Sequence, residues 1–228
     1  MQASQNIGFF THESEIVMKL YVYEHCPFCI RARMIFGLKH VPFELGIIME
    51  GDAETPISMV GRKVVPILQK EDGSYMPESM DIVRYVDQLN GAPVLNGQPD
   101  PDIEEWCRNI TRIVYNLAIP RFTQADFREL ETPLAREAYT LREIKAFGDL
   151  DALVENSQAC IDEILTALAK IEPWLAAVKP VTLTDFILFP LLNSLTIVKD
   201  FPYPDALKGY LHRISEQCQV PVFTDKAL

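Results

Sequence analysis

Between Asn90 and Pro101 the chain reads Asn-Gly-Ala-Pro-Val-Leu-Asn-Gly-Gln-Pro-Asp-Pro, and no regular element can cross it. Three prolines lack the N–H that a helix or ladder needs, and the two Asn-Gly steps favour left-handed backbone. Only Asp100 in this tract is charged. The tract divides the 228 residues into two folding units, and the texture on either side differs. Residues 18–90 are expected to form one domain, residues 91–101 a linker and residues 102–228 a second domain.

The first unit alternates short apolar runs with helical segments. Leu20–Tyr23 reads as a strand and residues 27–39 as a helix, with Pro27 in the first turn where a missing N–H costs nothing. Phe43–Ile48 and Val65–Gln69 are further strands, with a short helix around Thr55–Val60 between them. Glu71-Asp-Gly-Ser74 is a hairpin turn leading to a short strand at Tyr75–Pro77, and Ser79 is placed to cap a helix over Ser79–Leu89. The order β-α-β-α-β-β-α makes a compact α/β unit. Beyond the tract, strand signals vanish and helices are expected over 102–119, 133–147, 150–178, 184–198 and 204–217. The longest carries an apolar stripe from Leu150 to Leu175 at the 3.6-residue period of a core-facing helix. Thr132-Pro133 reads as a cap with a first-turn proline, and Thr182-Leu-Thr-Asp185 as a capping box.

Charge and length exclude several functions. With 32 acidic and 21 basic residues the net charge is −11, which disfavours a nucleic-acid partner. The longest uncharged apolar run, Phe186–Val198, is too short to span a bilayer and is interrupted by Pro190. No cluster of Lys and Arg suggests a membrane anchor. Residues 1–17 contain no Lys or Arg, as a secretory leader would, and are expected to be an extension outside the fold. Gly46-Ile-Ile-Met-Glu-Gly51 has the glycine spacing of a phosphate loop, but Asp52-Ala53 follows in place of Lys-Ser/Thr, so no nucleotide site is expected.

Five cysteines are too few for a secreted disulfide framework at this length. Cys107, Cys160 and Cys218 stand alone and read as small buried hydrophobes. Cys26-Pro27-Phe28-Cys29 is different. Cys26 follows the first strand and stands at a helix start, where unpaired N–H groups and the positive end of the dipole stabilise a thiolate. Cys29 is one helical turn away, within reach as a resolving thiol. Half a structural zinc site is the alternative; it would need two more ligands, and the other Cys and His residues offer no paired spacing. Glu24 would oppose ionisation of Cys26 if it lay close, whereas His25, Arg31 and Arg33 could favour it. The expected balance is a depressed Cys26 pKa.

Cys-Pro-Phe-Cys after a first strand resembles the glutaredoxins. Gly61-Arg62-Lys63-Val64-Val65-Pro66 is similar to the glutaredoxin segment that ends in Val and a cis proline, and Glu78-Ser79 to the Glu-Ser motif of glutathione transferases. With a helical second unit, and with Ile103–Trp106, Pro120–Phe122, Thr132–Arg136 and Leu188–Leu192, the pattern resembles the bacterial glutaredoxin 2 subfamily. The resemblance implies a thioredoxin-like α/β N-terminal domain joined to an all-α, glutathione-transferase-like C-terminal domain. It implies a cytoplasmic, monomeric, glutathione-dependent thiol–disulfide oxidoreductase that uses glutathione as co-substrate and needs no metal and no nucleotide. Cys26 and Cys29 would be catalytic, with Pro27 and Phe28 supporting them. Val65 and Pro66 would face the cysteinyl part of glutathione, Glu78 and Ser79 its γ-glutamyl end and Arg62 its glycyl carboxylate. Each of these has a plainer reading: Ser79 as a helix cap, Pro66 as a strand start, Arg62 and Lys63 as solvated charges. A glutathione transferase is the competing enzyme, although conjugation needs no resolving thiol. A non-catalytic interaction or membrane-docking protein of the same shape is the competing class.

Overall fold

A computed structural model describes residues 17–228, so the expectation for residues 1–17 lies, Val17 apart, outside the described residues. The first half is a four-stranded sheet with three helices: β1 Lys19–Val22, α1 Pro27–Leu38, β2 Glu44–Ile47, α2 Glu54–Val60, β3 Ile67–Gln69, β4 Tyr75–Pro77 and α3 Ser79–Asp87. The strand order is β2-β1-β3-β4. β2 runs parallel to β1, so α1 is the crossover between them, while β3 and β4 are antiparallel. Leu20 and Val22 alternate into the core, which is why this short segment holds the centre of the sheet. The cysteine pair therefore sits at the carboxyl end of a central strand, at the start of the crossover helix.

The second half is helical: α4 Pro101–Phe122, α5 Pro133–Phe147, α6 Leu150–Glu155, α7 Ser157–Ala176, α8 Asp185–Asn193 and α9 Asp205–Cys218. Short 3-10 turns lie at Arg128–Leu130, Ser194–Ile197 and Thr224–Lys226. Asp100 caps α4 by accepting from the N–H groups of Asp102 and Ile103, and Thr132 caps α5 by accepting from Ala135, each followed by a first-turn proline. α4 runs on through Pro120, past the expected end at residue 119, because packing of Ile119 and Phe122 outweighs the missing hydrogen bond.

The expected single helix over 150–178 is two helices. Asn156 has φ −86° and ψ 9°, in the bridge region, and turns the chain between α6 and α7. Val154 is exposed, and the buried stripe starts only at Cys160, continuing through Ile164, Leu168, Ile171 and Leu175. The helix expected over 184–198 ends at Asn193 and tightens into the 3-10 turn Ser194–Ile197. The proposed box at its start is built differently: buried Asp185 accepts from both the N–H and the hydroxyl of Thr182. β3 begins at Ile67, after Pro66, so Val65 belongs to the loop before it.

One apolar core runs through both halves. α1 packs on α3 within its own half and on α8 and α9 of the other. Gly37 makes the last contact possible, since a Cβ there would collide with the carbonyl of Cys218 at the end of α9. Arg31 Nε donates to the carbonyl of Phe186 at 2.7 Å, and the amide of Asp100 donates to Thr184 Oγ1 at 2.8 Å. The segment after α3 is pinned to the first half: Asp87 accepts from Val94 and Leu95, and Lys39 Nζ donates to the carbonyl of Ala92.

Candidate active site

Cys26 occupies the N-cap of α1 with extended backbone, φ −70° and ψ 123°. Its carbonyl accepts the Ile30 N–H, so the helix begins immediately after it, with Pro27 as the first residue. The N–H groups of Phe28 and Cys29 have no helical carbonyl to pair with and stabilise negative charge on the sulfur instead. The Cys26 thiol is lowered to about 7, first by a hydrogen bond from the Cys29 thiol, then by the charge of His25 and by those two N–H groups, against the opposing effect of burial. Cys29 is fully buried and is held well above the ordinary thiol range, first by burial and then by the charge of Cys26 and its hydrogen bond. The two sulfurs thus differ in how readily they ionise. Cys26, half-buried, ionises; Cys29 keeps its proton and donates it in a hydrogen bond.

The residues just before Cys26 are fixed from the other half of the molecule. Glu24 accepts from Arg128 Nε at 2.7 Å and from the Arg128 N–H at 3.0 Å, and these contacts hold its carboxyl below the usual range despite partial burial. Its charge is therefore neutralised locally, which removes the opposition expected from sequence. His25 is buried, with Nδ1 2.6 Å from Glu129 Oε1 and its own N–H donating to the same oxygen at 3.1 Å. Burial pulls the imidazole down, but the hydrogen bond and charge of Glu129 outweigh it and keep the ring above its ordinary value. The rings of Tyr23, Phe122, Phe127 and Tyr139 surround it.

A cavity of about 670 Å³ opens beside Cys26 between the two halves. His25, Pro27, Phe28 and Val65 line it on one side, and Tyr115, Tyr139 and Phe147 on the other. That volume lies in the range of sites for small organic ligands. Phe28 is half-exposed at the rim, with the guanidinium of Arg31 5.3 Å from its ring centre. The Val65–Pro66 peptide bond is cis.

The expected glutathione residues fall into two groups. Val65 shares the cavity with Cys26, and Ser79 is linked to it through Arg31, whose Nη1 lies 3.4 Å from Ser79 Oγ. Ser79 is buried in the first turn of α3, and its hydroxyl does not cap the helix; the cap position is taken by Glu78, whose φ of 73° is in the left-handed region. Such a backbone costs a non-glycine residue ~1–3 kcal/mol and is typical of ligand-holding turns. Glu78 and Arg62 do not line the cavity. Their exposed side chains pair with each other, Arg62 Nη2 donating to Glu78 Oε1. Arg31, expected from the sequence to favour the thiolate, lines the cavity, whereas Glu129 and Tyr139 are the site-adjacent residues whose placement the sequence did not reveal. Among the described residues no cluster of three or more His, Cys, Asp or Glu side chains could hold a metal ion, and no helix is long and apolar enough to cross a membrane.

The family model for the C-terminal domain of glutaredoxin 2 matches residues 102–227, and that for the N-terminal domain of glutathione S-transferases matches residues 20–94. Glutaredoxin 2 of Escherichia coli strain K12 is 42% identical over 217 residues, covering 92% of this chain and 100% of that protein. The crystal structure of glutaredoxin 2 from Salmonella typhimurium in complex with glutathione superposes with a TM-score of 0.89 at 41% identity, covering 93% of this chain and 99% of the other. Glutathione transferase GSTFuA3 from Phanerochaete chrysosporium, at 14% identity, shares the fold with a TM-score of 0.72 over 90% of this chain and 98% of its own.

Proposed function

The chain belongs to the glutaredoxin 2 family and is a glutathione-dependent thiol oxidoreductase, and on that premise we propose that Cys26 is its attacking thiol and Cys29 its resolving thiol. One observation carries the assignment: at the start of α1, Cys26 is lowered to about 7 and open to a cavity, while Cys29 is buried and protonated.

The Cys26 thiolate attacks the glutathionyl sulfur of a mixed disulfide. A Cys26–glutathione disulfide forms, and the other sulfur leaves as a thiolate that takes a proton from solvent. A second glutathione thiolate then attacks the bound glutathionyl sulfur, yielding oxidised glutathione and regenerating the Cys26 thiolate. With a disulfide substrate, Cys26 attacks one sulfur and forms a mixed disulfide while the other substrate sulfur leaves as a thiolate that takes a proton from solvent. Cys29 then displaces the remaining substrate sulfur to form the Cys26–Cys29 disulfide. Two glutathiones then reduce the Cys26–Cys29 disulfide. Once Cys26 is in a mixed disulfide it is uncharged, so its contributions to holding Cys29 protonated are gone, and burial and the charge of Glu129 remain against the hydrogen bond to the Tyr23 backbone. The resolving thiol is thereby released when it is needed.

The binding residues follow the same logic. Val65 offers backbone groups to the cysteinyl part of glutathione beside Cys26. Ser79, the amide groups at the start of α3 and Arg31 receive the γ-glutamyl carboxylate. Glu78 and Arg62 would exchange their mutual pair for the γ-glutamyl ammonium and the glycyl carboxylate. The domain assignment 18–90, 91–101 and 102–228, the cytoplasmic location, the monomeric state and a reaction without metal or nucleotide belong to the same proposal. Cys26→Ser should abolish glutathione-coupled reduction of both disulfides and glutathionyl mixed disulfides, and Cys29→Ser should abolish only the dithiol route. Full activity in the Cys26 variant would overturn the assignment.

A further inference from the structure

Glu129 is 0% exposed, and its carboxylate reaches across from the helical half to the residue preceding Cys26. A carboxylate at such a site is costly unless paired, and its one ionisable hydrogen-bond partner among the described residues is His25. Oε1 accepts from both His25 Nδ1 and the His25 N–H, so one oxygen fixes the ring and the backbone together; Oε2 is buried without a partner. The rings of Phe122, Phe127 and Tyr139 close on the imidazole at centroid distances of 5.4, 5.5 and 4.7 Å and leave it no room to turn. His25 and Cys26 are adjacent in sequence and line the same cavity.

We propose that Glu129, on the 3-10 turn Arg128–Leu130, is a positioning residue for the thiol chemistry: it holds the His25 ring in place beside Cys26 and favours its protonated form, so that the helical half helps set how readily that sulfur ionises. The other groups around His25 cannot substitute for it. Glu50 Oε2 is taken by Arg142 Nη1 at 2.8 Å, and the same guanidinium engages Glu143 at 2.9 Å and covers the Tyr139 ring. Tyr23 and Tyr139 are held in their neutral forms by burial. Glu24 is neutralised by Arg128 on the same turn. The turn thus does two things to the segment before Cys26: it cancels the carboxylate that would oppose a thiolate and supplies the one that sustains a cation next to it. An oriented imidazolium of this kind is fixed by the hydrogen bond at its other nitrogen, here the Glu129 contact at Nδ1.

The inference rests on Cys26 being the reactive thiol, and the experiment separates the two. The rate of iodoacetamide alkylation of Cys26 in the reduced full chain is followed against pH, with the modified residue identified by peptide mass. Glu129→Gln keeps the shape and removes the charge. The alkylation midpoint should rise by ~1 unit, and the rate at pH 6 should fall about five- to tenfold. His25→Gln should raise the midpoint similarly, and the double variant should match His25→Gln alone. A depressed wild-type midpoint that Glu129→Gln leaves unchanged, or a Glu129→Gln shift that persists in full on the His25→Gln background, would overturn the positioning role while leaving the Cys26 assignment intact. An ordinary midpoint in the wild type would instead overturn the thiolate reading itself. Should Glu129→Gln fail to fold, His25→Gln alone decides, since a midpoint unmoved by loss of the imidazole leaves Glu129 nothing to act through.

Discussion

Replacing Gly37 by alanine sets two opposing effects against each other, and the structure decides which wins. Alanine in a helix interior is more favourable than glycine by ~0.8–1 kcal/mol. At position 37, however, the added Cβ points at α9 and would meet the carbonyl carbon and oxygen of Cys218 well inside contact distance. The obstacle is backbone, so it cannot swing aside as a side-chain tip would. α1 cannot retreat either, because its other face is packed on α3. Overpacking of this kind costs ~1–3 kcal/mol, and a backbone clash belongs at the upper end. The net loss is ~2 kcal/mol, a fall in thermal midpoint of ~4–8 °C at this chain length. Gly209 in α9 is the control, since a Cβ there meets nothing within 4 Å. Gly209→Ala should raise the midpoint by ~2–4 °C through helix propensity alone. The assay is thermal unfolding of both variants by far-ultraviolet circular dichroism, with urea midpoints alongside. A rise in both would show that the α1–α9 contact yields freely and would refute the claim that Gly37 is required for the two halves to dock.

Asp87→Ala should destabilise the fold by ~2–3 kcal/mol, because it orphans the Val94 and Leu95 N–H groups and leaves the buried Lys39 ammonium without its carboxylate 4.0 Å away. Its signature is faster cleavage between residues 88 and 100 by a broad-specificity protease. Asp185→Ala removes a fully buried carboxylate that accepts from Thr182 at 2.8 and 2.9 Å, and should lower stability by ~2–3 kcal/mol in urea titration. Thr182→Val removes only the hydroxyl donor and should cost ~1 kcal/mol.

What could be read from the sequence was local. Leu20 and Val22 alternate, Pro27 opens a helix, and Cys26 therefore had to stand at a helix start; all three are visible in ten consecutive residues. The caps Asp100 and Thr132 belong to the same class, the former found only in the structure and the latter expected. The errors arose where tertiary packing decides. The apolar period from Leu150 to Leu175 looks continuous, yet the chain turns at Asn156, because α6 packs on α4 in its own direction rather than extending α7. Ser79 looked like a cap, but a serine hydroxyl near an arginine can serve that group instead, and Arg31 lies 48 positions away in sequence. Glu129 was out of reach altogether. It is one acid among 32 in the chain, and only folding brings it 2.6 Å from a histidine 104 positions earlier.

Cys26 ionises near neutral pH, well below a free thiol, because of where it stands in the fold. The most direct measurement is the pH dependence of Cys26 alkylation in the reduced wild-type protein. A midpoint of about 7 is expected, with the reactive form lost as pH falls through it. About a tenth of the sulfur would then be thiolate at pH 6 and about nine-tenths at pH 8. A midpoint near the ordinary ~8.5 of a free thiol would contradict the account.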